Sequence, residues 1–168
     1  MELVDVVDIN GNYTGEVVTR EEAQKRKLGH WEVIIIIIND KRQVLLQKRS
    51  ANKKYYPNKW ALCSGLVISK ESVDEAAIRE LKEEIGVDFS FNDLNVLDSN
   101  LNLTRFYYVK CNESEDFFTI QESELSCVKW FDLDEVIQLI EKNDERFILS
   151  DRIYGELLKL KKLIDSEG

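Results

Sequence analysis

The most apolar stretch of the chain is residues 33–38, which are one valine followed by five isoleucines. Six consecutive β-branched residues are too few for a typical helix and too apolar for a strand with one exposed face. They predict a central strand that is covered on both faces. A turn at Asn39-Asp40 and a second strand at residues 44–47 are expected to follow.

Apolar segments and turn residues alternate along the rest of the chain. A hairpin is predicted around Asn10-Gly11, and a short helix over residues 20–27 with Thr19 as its cap and Gly29 as its stop. The other predicted elements are strands at 60–62, 101–110 and 128–131, a basic loop at 48–59, a helix capped by Asp132 or Asp134 that runs to Ile140, and a last helix capped by Ser150 or Asp151 that runs to Ile164. Intermixed strands and helices favour an α/β (α+β) sandwich-like domain.

Residues 73–85 predict a helix with charged and apolar faces side by side. Ser72 and Glu75 form a capping box at its start, and Gly86 follows its last turn. At about 100° per residue, the apolar side chains share one face, and the carboxylates of Glu80, Glu83 and Glu84 share the neighbouring face. The apolar face consists of Ala77, Ile78, Leu81 and Ile85.

Three carboxylates on one face repel one another unless something neutralises them. Arg79 can pair with one of them, whereas Lys82 points away. A hard divalent cation such as Mg²⁺ or Mn²⁺ would neutralise the rest. A solvated glutamate-rich face, which is common on helices, is the alternative.

The wider spacing around this helix resembles the signature of the Nudix hydrolases. The nine specified positions all match, and they are Gly65, Glu71, Arg79, Glu80, Leu81, Glu83, Glu84, Gly86 and Val87. The resemblance implies a Nudix-type α/β/α sandwich with a mixed central sheet, an N-terminal hairpin extension and a C-terminal helix. One domain is expected over 1–168, with the hairpin and short helix at 1–30, the core at 31–145 and the last helix at 146–168. The extension resembles that of the isopentenyl-diphosphate isomerase-like branch.

The same resemblance implies a chemistry and a set of roles. The reaction is hydrolysis of a diphosphate bond in a nucleoside diphosphate linked to another group, with Mg²⁺ as cofactor and Mn²⁺ as a substitute. The expected metal ligands are Glu80, Glu84, Glu83 and the Gly65 carbonyl, while Arg79 orients a carboxylate. Glu71, Leu81 and Gly86 are expected to be structural. Glu124 is the candidate general base, and Glu122 is its alternative.

Charge is unevenly distributed along the chain. The formal net charge is −9, yet residues 41–59 hold seven basic residues and no acidic one. An acidic chain is a poor binder of long nucleic acids or anionic membranes, whereas a local basic stretch suits a small phosphate-containing substrate. The candidates for phosphate contact are Arg49, Lys48, Lys53 and Lys54. Because adjacent strand residues face opposite ways, only one of Lys48 and Arg49 is expected to reach the substrate.

Aromatic residues, cysteines and the single histidine give weaker predictions. Tyr55 or Tyr56 can stack on a base, and Tyr56 is a candidate substrate-binding residue, although covering the core is the favoured alternative for both. Trp60 and Trp130 are expected in the core, His30 in a packing role, and Cys63 as a buried, inert thiol. We expect a cytoplasmic protein, because the sequence has no signal-peptide pattern and its three cysteines lack CxxC spacing. The family resemblance also makes a homodimer an option.

Two departures from the family pattern and two rival functions complete the prediction. Ser64 and Lys70 stand where many Nudix boxes have glycine, so the loop before the helix is expected to differ in shape. The first rival is isopentenyl-diphosphate isomerase-like activity, which in the related enzymes needs a cysteine and a histidine-rich metal site. This chain has one histidine. The second rival is a nucleotide-binding regulator without turnover.

Overall fold

A seven-stranded mixed sheet forms the centre of the protein. The computed structural model describes residues 2–148 and 151–167. The strands of the sheet are β3 (Glu32–Ile38), β4 (Gln43–Arg49), β5 (Trp60–Ala61), β6 (Cys63–Leu66), β7 (Asn95–Leu101), β8 (Thr104–Lys110) and β9 (Leu125–Asp132). The sheet has the order β5-β4-β3-β8-β7, and β6 and β9 pair with β3 and β4 respectively. Strands β3 and β8 are parallel, and the other pairs are antiparallel.

Strand β3 is covered on both faces, as its composition predicts. Residues 33–38 are 0 to 7% exposed. Val33, Ile35 and Ile37 pack with helix α2 (Val73–Ile85), and the alternate isoleucines pack with α3 (Leu133–Glu141) and α4 (Asp151–Glu167). Because successive strand residues face opposite sides, one six-residue run supplies both cores. The predicted α/β/α sandwich with a mixed sheet is confirmed.

The chain begins with a hairpin and a short helix that pack around an apolar cluster of their own, before the first strand of the sandwich. Strands β1 (Leu3–Val7) and β2 (Tyr13–Thr19) pair with each other, and α1 (Arg20–Arg26) packs on them around a small cluster that includes Val4 and Ala23. The Asp8 carboxylate accepts hydrogen bonds from two backbone N–H groups of the predicted turn. Helix α1 begins at the predicted cap, Thr19. Its last residue is Arg26, one before the predicted end, and Lys27 in the left-handed conformation caps it instead of the predicted stop at Gly29.

Several predicted strand boundaries are wrong. The predicted strand over 101–110 is the end of β7, a turn at Asn102 and Leu103, and β8. Both turn residues have positive φ, which a strand does not allow, and asparagine tolerates this conformation well. Strands β6 and β7 were not predicted, because β6 surrounds a glycine and β7 is a polar strand at the edge of the sheet.

The two C-terminal helices begin close to their predicted caps. Asp132 caps α3 with its carboxylate, which resolves the choice between Asp132 and Asp134. Of the two alternatives for α4, Asp151 is its first residue and Ser150 lies outside the described residues. Within residues 2–148 and 151–167, no helix combines the length and the apolar character needed to cross a membrane.

Candidate active site

A polar cavity of about 400 Å³ lies between α2, strands β4 and β6, and the segment that precedes β9. The predicted site residues on its wall are Glu80, Glu83, Glu84, Gly65, Arg49, Lys53 and Glu124, and other wall residues include Arg20, Gln47, Ser64 and Gln121. One cavity thus brings together carboxylates from α2 and cations from the basic stretch.

Helix α2 presents its glutamates to this cavity because both of its ends are fixed. Ser72 Oγ accepts the Glu75 N–H at 3.0 Å, and the Glu75 carboxylate accepts the Ser72 N–H at 3.1 Å. Gly86 ends the helix with a φ of +75°, which favours glycine. Ala76, Ala77, Leu81 and Ile85 are fully buried, whereas Ile78, which was expected on this face, is only half-buried. Small residues at positions 76 and 77 let the helix lie close to the sheet, so the buried face is rotated towards Ala76.

Glycine at position 65 leaves room for Glu80. A Cβ atom at Gly65 would lie 2.7 Å from Cγ of Glu80 and still nearer to its carboxylate group. Ordinary carbon contacts are about 3.5 to 4.0 Å, so no other residue fits here unless Glu80 moves. This close approach explains why a glycine stands on β6 opposite the helix.

Arg79 forms ion pairs with three carboxylates at the N-terminal side of the site. Its guanidinium donates to both oxygens of Glu71 at 2.7 and 2.9 Å, to Glu80 Oε1 at 2.7 Å and to Glu83 Oε2 at 3.2 Å. It also donates to the Leu66 carbonyl at 2.9 Å, while Glu71 accepts the N–H of Ile68 at 3.0 Å. The loop before α2 and the helix itself are therefore joined through one arginine, in the arrangement that was expected for Arg79 and Glu71.

Glu84 lies one helical turn beyond Glu80 and faces β4 and β6. It accepts hydrogen bonds from Gln47 Nε2 at 3.2 Å and from Cys63 Sγ at 2.9 Å. Burial raises the pKa of Glu84, and the Cys63, Gln47 and Ser64 hydrogen bonds oppose the rise. Burial, then the charge of Glu84, raises the pKa of Cys63 well above its ordinary value, so the thiol stays protonated and donates.

The surroundings of Glu80 disfavour the ionised form of its carboxyl group. Burial and the neighbouring charge of Glu84 raise its pKa to about 7, although Arg79 acts in the opposite direction. Ionising both carboxylates is unfavourable because they are close together and partly removed from water. A cation that lies between them stabilises the doubly ionised pair. The donor set, which is carboxylate oxygens beside the Gly65 backbone, suits a hard ion such as Mg²⁺.

The site is not a closed cage for a metal ion. In the part of the chain that the structure describes, no three side chains of aspartate, glutamate, histidine or cysteine form a metal-binding group. Mg²⁺ is usually held by one or two carboxylates, several waters and the phosphates of a substrate. The arrangement of Glu80 and Glu84 fits that mode of binding, in which the substrate completes the coordination.

Opposite α2, Glu124 forms an ion pair with Lys53 on the wall of the cavity. The backbone N–H of Ser50 donates to the Glu124 carbonyl at 2.9 Å, which connects this segment to the end of β4. Glu122, the alternative candidate base, is exposed and does not line the cavity. Of the two, only Glu124 lines the cavity.

The basic stretch divides between the cavity and the outer surface. Arg49 lines the cavity and donates to the Tyr55 carbonyl at 3.1 and 2.9 Å. Lys48 points away from the cavity, over the Trp60 ring at 5.9 Å, and Lys54 lies over the Tyr55 ring at 5.3 Å. Neither of these lysines lines the cavity, in contrast to Arg49 and Lys53.

The remaining aromatic and polar predictions have mixed outcomes. Tyr55 and Tyr56 are 64% and 61% exposed, so the expectation that they cover the core is wrong. Trp60 and Trp130 are partly buried against the two cores, and Cys63 is buried as expected. Lys70, one of the two departures from the family pattern, adopts a φ of +73°, and its N–H donates to Asp5 of the hairpin at 3.1 Å.

Among the residues that the sequence did not assign to the site, Gln47 and Arg20 line the cavity, and Cys63 contacts Glu84 without lining it. Gln47 lies two positions before Arg49 on β4, so the alternation of strand side chains could have identified it. Cys63 was predicted to be inert, but it contacts Glu84. Arg20 comes from α1, and no pattern in the sequence connects this helix with the cavity.

Comparison with known proteins identifies the family. The family model described as NUDIX domain matches residues 28–151. The chain belongs to the Nudix family. Its fold is also found in a solved structure of a Deinococcus radiodurans protein, with a TM-score of 0.68 and 21% identity over 84% of this chain and 90% of that one. The predicted membership is therefore confirmed, and with it the general activity of the family, which is hydrolysis of a diphosphate bond.

Three curated Nudix relatives span most of this chain. A Nudix hydrolase of Listeria innocua is 29% identical over 91% of this chain and 83% of its own length. A prenyl-diphosphate phosphatase of Methanosarcina mazei is 25% identical over 80% of this chain and 81% of its own. An isopentenyl-diphosphate Delta-isomerase of Pectobacterium atrosepticum is 28% identical over 86% and 84%. The predicted likeness to the isomerase branch is thus found as well.

Proposed function

We propose that this Nudix domain hydrolyses a diphosphate bond in a small substrate with the help of Mg²⁺, and that Glu80 and Glu84 hold the ion together with the substrate's phosphates. The observation that carries the proposal is the pair Glu80 and Glu84 on one side of α2. Glu80 is buried against Gly65 with its pKa raised to about 7, and Glu84 is half-buried one helical turn further on. Glu83 is exposed and forms an ion pair with Arg79. It is assigned to the same metal site as a ligand that acts through a bound water. Mn²⁺ is expected to substitute for Mg²⁺.

The reaction consists of attack by water on phosphorus. The water oxygen forms a bond to one phosphorus atom, the bridging P–O bond breaks, and the bridging oxygen leaves with the other phosphate. A bound divalent ion screens the charge of the diphosphate and lowers the pKa of water. Glu124 accepts the proton of the attacking water, while its ion pair with Lys53 holds this carboxylate in position.

Arg49 is proposed to bind the phosphates on the side of the cavity opposite α2, and Lys53, which is paired with Glu124, is proposed to assist it from the same wall. Charge-assisted hydrogen bonds from arginine to phosphate are short and directional, which suits a substrate that must be aligned for in-line attack. Arg79 acts through other residues, because its guanidinium is already occupied by three carboxylates. Glu71, Leu81 and Gly86 are assigned to the structure of the loop and helix.

The finer substrate class is a nucleoside diphosphate linked to another group, as the family pattern implies. The test is a panel of nucleotide sugars, dinucleoside polyphosphates, nucleoside triphosphates and prenyl diphosphates, assayed for hydrolysis products with Mg²⁺ or Mn²⁺. The Glu84→Gln variant is expected to lose at least about a hundredfold in kcat. Glu122→Gln, outside the cavity, is the matched control. Absence of turnover of every diphosphate with both ions would refute the proposal.

The rival functions are outcomes of the same experiment. An isomerase would rearrange a prenyl diphosphate without releasing phosphate, and a regulator would bind without turnover. The single histidine of the chain, His30, does not line the cavity. The histidine-rich metal site that isomerase activity needs therefore cannot form in this cavity. A cytoplasmic location and a homodimer stay predictions.

A further inference from the structure

A second cavity of about 520 Å³ opens beside the first. We define the tyrosine groove as the part of its wall formed by Ile34, Tyr55, Tyr56, Leu62, Ile148 and Ile153. The two cavities share five wall residues, which are Arg20, Arg49, Ala61, Leu62 and Ser64. A ligand with its phosphates near α2 therefore has a continuous path into the groove.

The groove is chemically different from the glutamate cavity. Its floor consists of aliphatic side chains, and Ile34, Leu62 and Ile153 are all at least nine-tenths buried. Tyr55 and Tyr56 stand at its rim with most of their surface exposed. Among the described residues, no acidic side chain lines the second cavity, and apart from the tyrosine hydroxyls its uncharged polar side chains are Gln24 and Ser64. A sugar or a base needs both donors and acceptors to replace water, and these walls supply few acceptors.

Two arginines stand at the junction of the cavities without a carboxylate partner. In residues 2–148 and 151–167, Arg20 forms no ion pair, and the hydrogen bonds from Arg49 go to the Tyr55 carbonyl. By contrast, Lys53 on the same wall is neutralised by Glu124. Unpaired guanidinium groups beside a cavity attract anions, and phosphate oxygens match their geometry.

We propose that the tyrosine groove binds the organic group of the substrate, that this group is an apolar hydrocarbon chain, and that Arg20 and Arg49 bind the phosphate attached to it. The proposal rests on the diphosphate hydrolysis proposed above, but it assigns a different organic group to the substrate. The substrate is an alkyl or alkenyl diphosphate, in place of the nucleoside diphosphate that the family pattern implies. Hydrolysis of its P–O–P bond by water yields an alkyl phosphate and inorganic phosphate. The N-terminal hairpin unit thereby contributes to the site through Arg20.

The test is calorimetric binding of alkyl methylenebisphosphonates, which cannot be hydrolysed, to the wild-type protein with Mg²⁺. The series runs from a methyl group to progressively longer chains, with an adenosine methylenebisphosphonate for comparison. Affinity is expected to rise about twofold to fourfold for each buried methylene until the groove is filled. Tyr55→Ala, at an exposed position, is expected to reduce this dependence on chain length.

Arg20→Gln is expected to weaken binding of every member of the series, the methyl compound included, by about tenfold to a hundredfold. Arg26→Gln is the matched control, because Arg26 is on the same helix, pairs with Glu16 and lies outside both cavities. Affinity that is independent of chain length, or an adenosine compound that binds more tightly than every alkyl compound, would overturn the apolar assignment. Wild-type affinity in Arg20→Gln would overturn the arginine assignment. If the chain-length dependence appears but no diphosphate is hydrolysed, only the proposed function fails.

Discussion

Gly65→Ala is expected to separate activity from stability. The new Cβ atom would lie 2.7 Å from Cγ of Glu80, roughly 1 Å inside ordinary contact, so the Glu80 side chain must move. Because the atoms that give way belong to a side chain rather than to the backbone, the free energy of unfolding should fall by only about 1 kcal/mol. The corresponding change in Tm is about 2–4 °C for a domain of this size. A displacement of about 1 Å at a reacting centre costs on the order of a hundredfold in rate.

The assay combines thermal unfolding with kcat measured over a range of Mg²⁺ concentrations. Gly155→Ala is the control, since a Cβ at Gly155 on α4 meets nothing within 4 Å. It should leave kcat unchanged and raise stability by up to about 1 kcal/mol through better helix propensity. If Gly65→Ala has wild-type kcat and Mg²⁺ dependence, the reasoning that Gly65 makes room for a metal-binding Glu80 is refuted.

The remaining predictions concern the carboxylates and Arg79. Arg79→Met should lower the free energy of unfolding in urea by about 2–4 kcal/mol, because it leaves buried carboxylates unpaired, and unchanged stability would contradict the network. Glu80→Gln should stabilise the metal-free protein at pH 8 by about 1–3 kcal/mol. The raised pKa of Glu80 means that the folded state binds the proton more tightly than the unfolded state, so the wild type loses stability as pH rises from 4.5 to about 7. If Glu80→Gln stabilised the protein equally at pH 4 and pH 8, this explanation would be contradicted. Glu124→Gln should lower kcat about a hundredfold or more, while Glu122→Gln keeps it; near wild-type kcat in Glu124→Gln excludes it as the general base.

Strand β3 and helix α2 were predictable because their patterns depend on local spacing. The run of isoleucines specifies a strand buried on both faces, and the capping box with Gly86 specifies both ends of α2. Both signals are contained within a short segment. Longer-range pairing leaves no such signal, so the edge strand β7 and the short β6 were not predicted.

The parts of the site that come from distant segments could not be predicted in the same way. Gln47, Cys63 and Arg20 meet the glutamates or line the cavity only because the chain folds β4, β6 and α1 around α2. Tyr55 and Tyr56 lie within the basic stretch, and their sequence neighbourhood does not distinguish a core position from the rim of a groove. Burial of the aliphatic floor beneath them is a property of the tertiary structure.

The most direct test of the account is binding of Mn²⁺, followed by electron paramagnetic resonance so that turnover is not needed. The wild-type protein should bind Mn²⁺, Glu84→Gln should bind it at least about tenfold more weakly, and Glu122→Gln should match the wild type. Mg²⁺ should displace the bound Mn²⁺. Equal Mn²⁺ affinity in Glu84→Gln and the wild type would contradict the claim that these glutamates form a divalent-cation site.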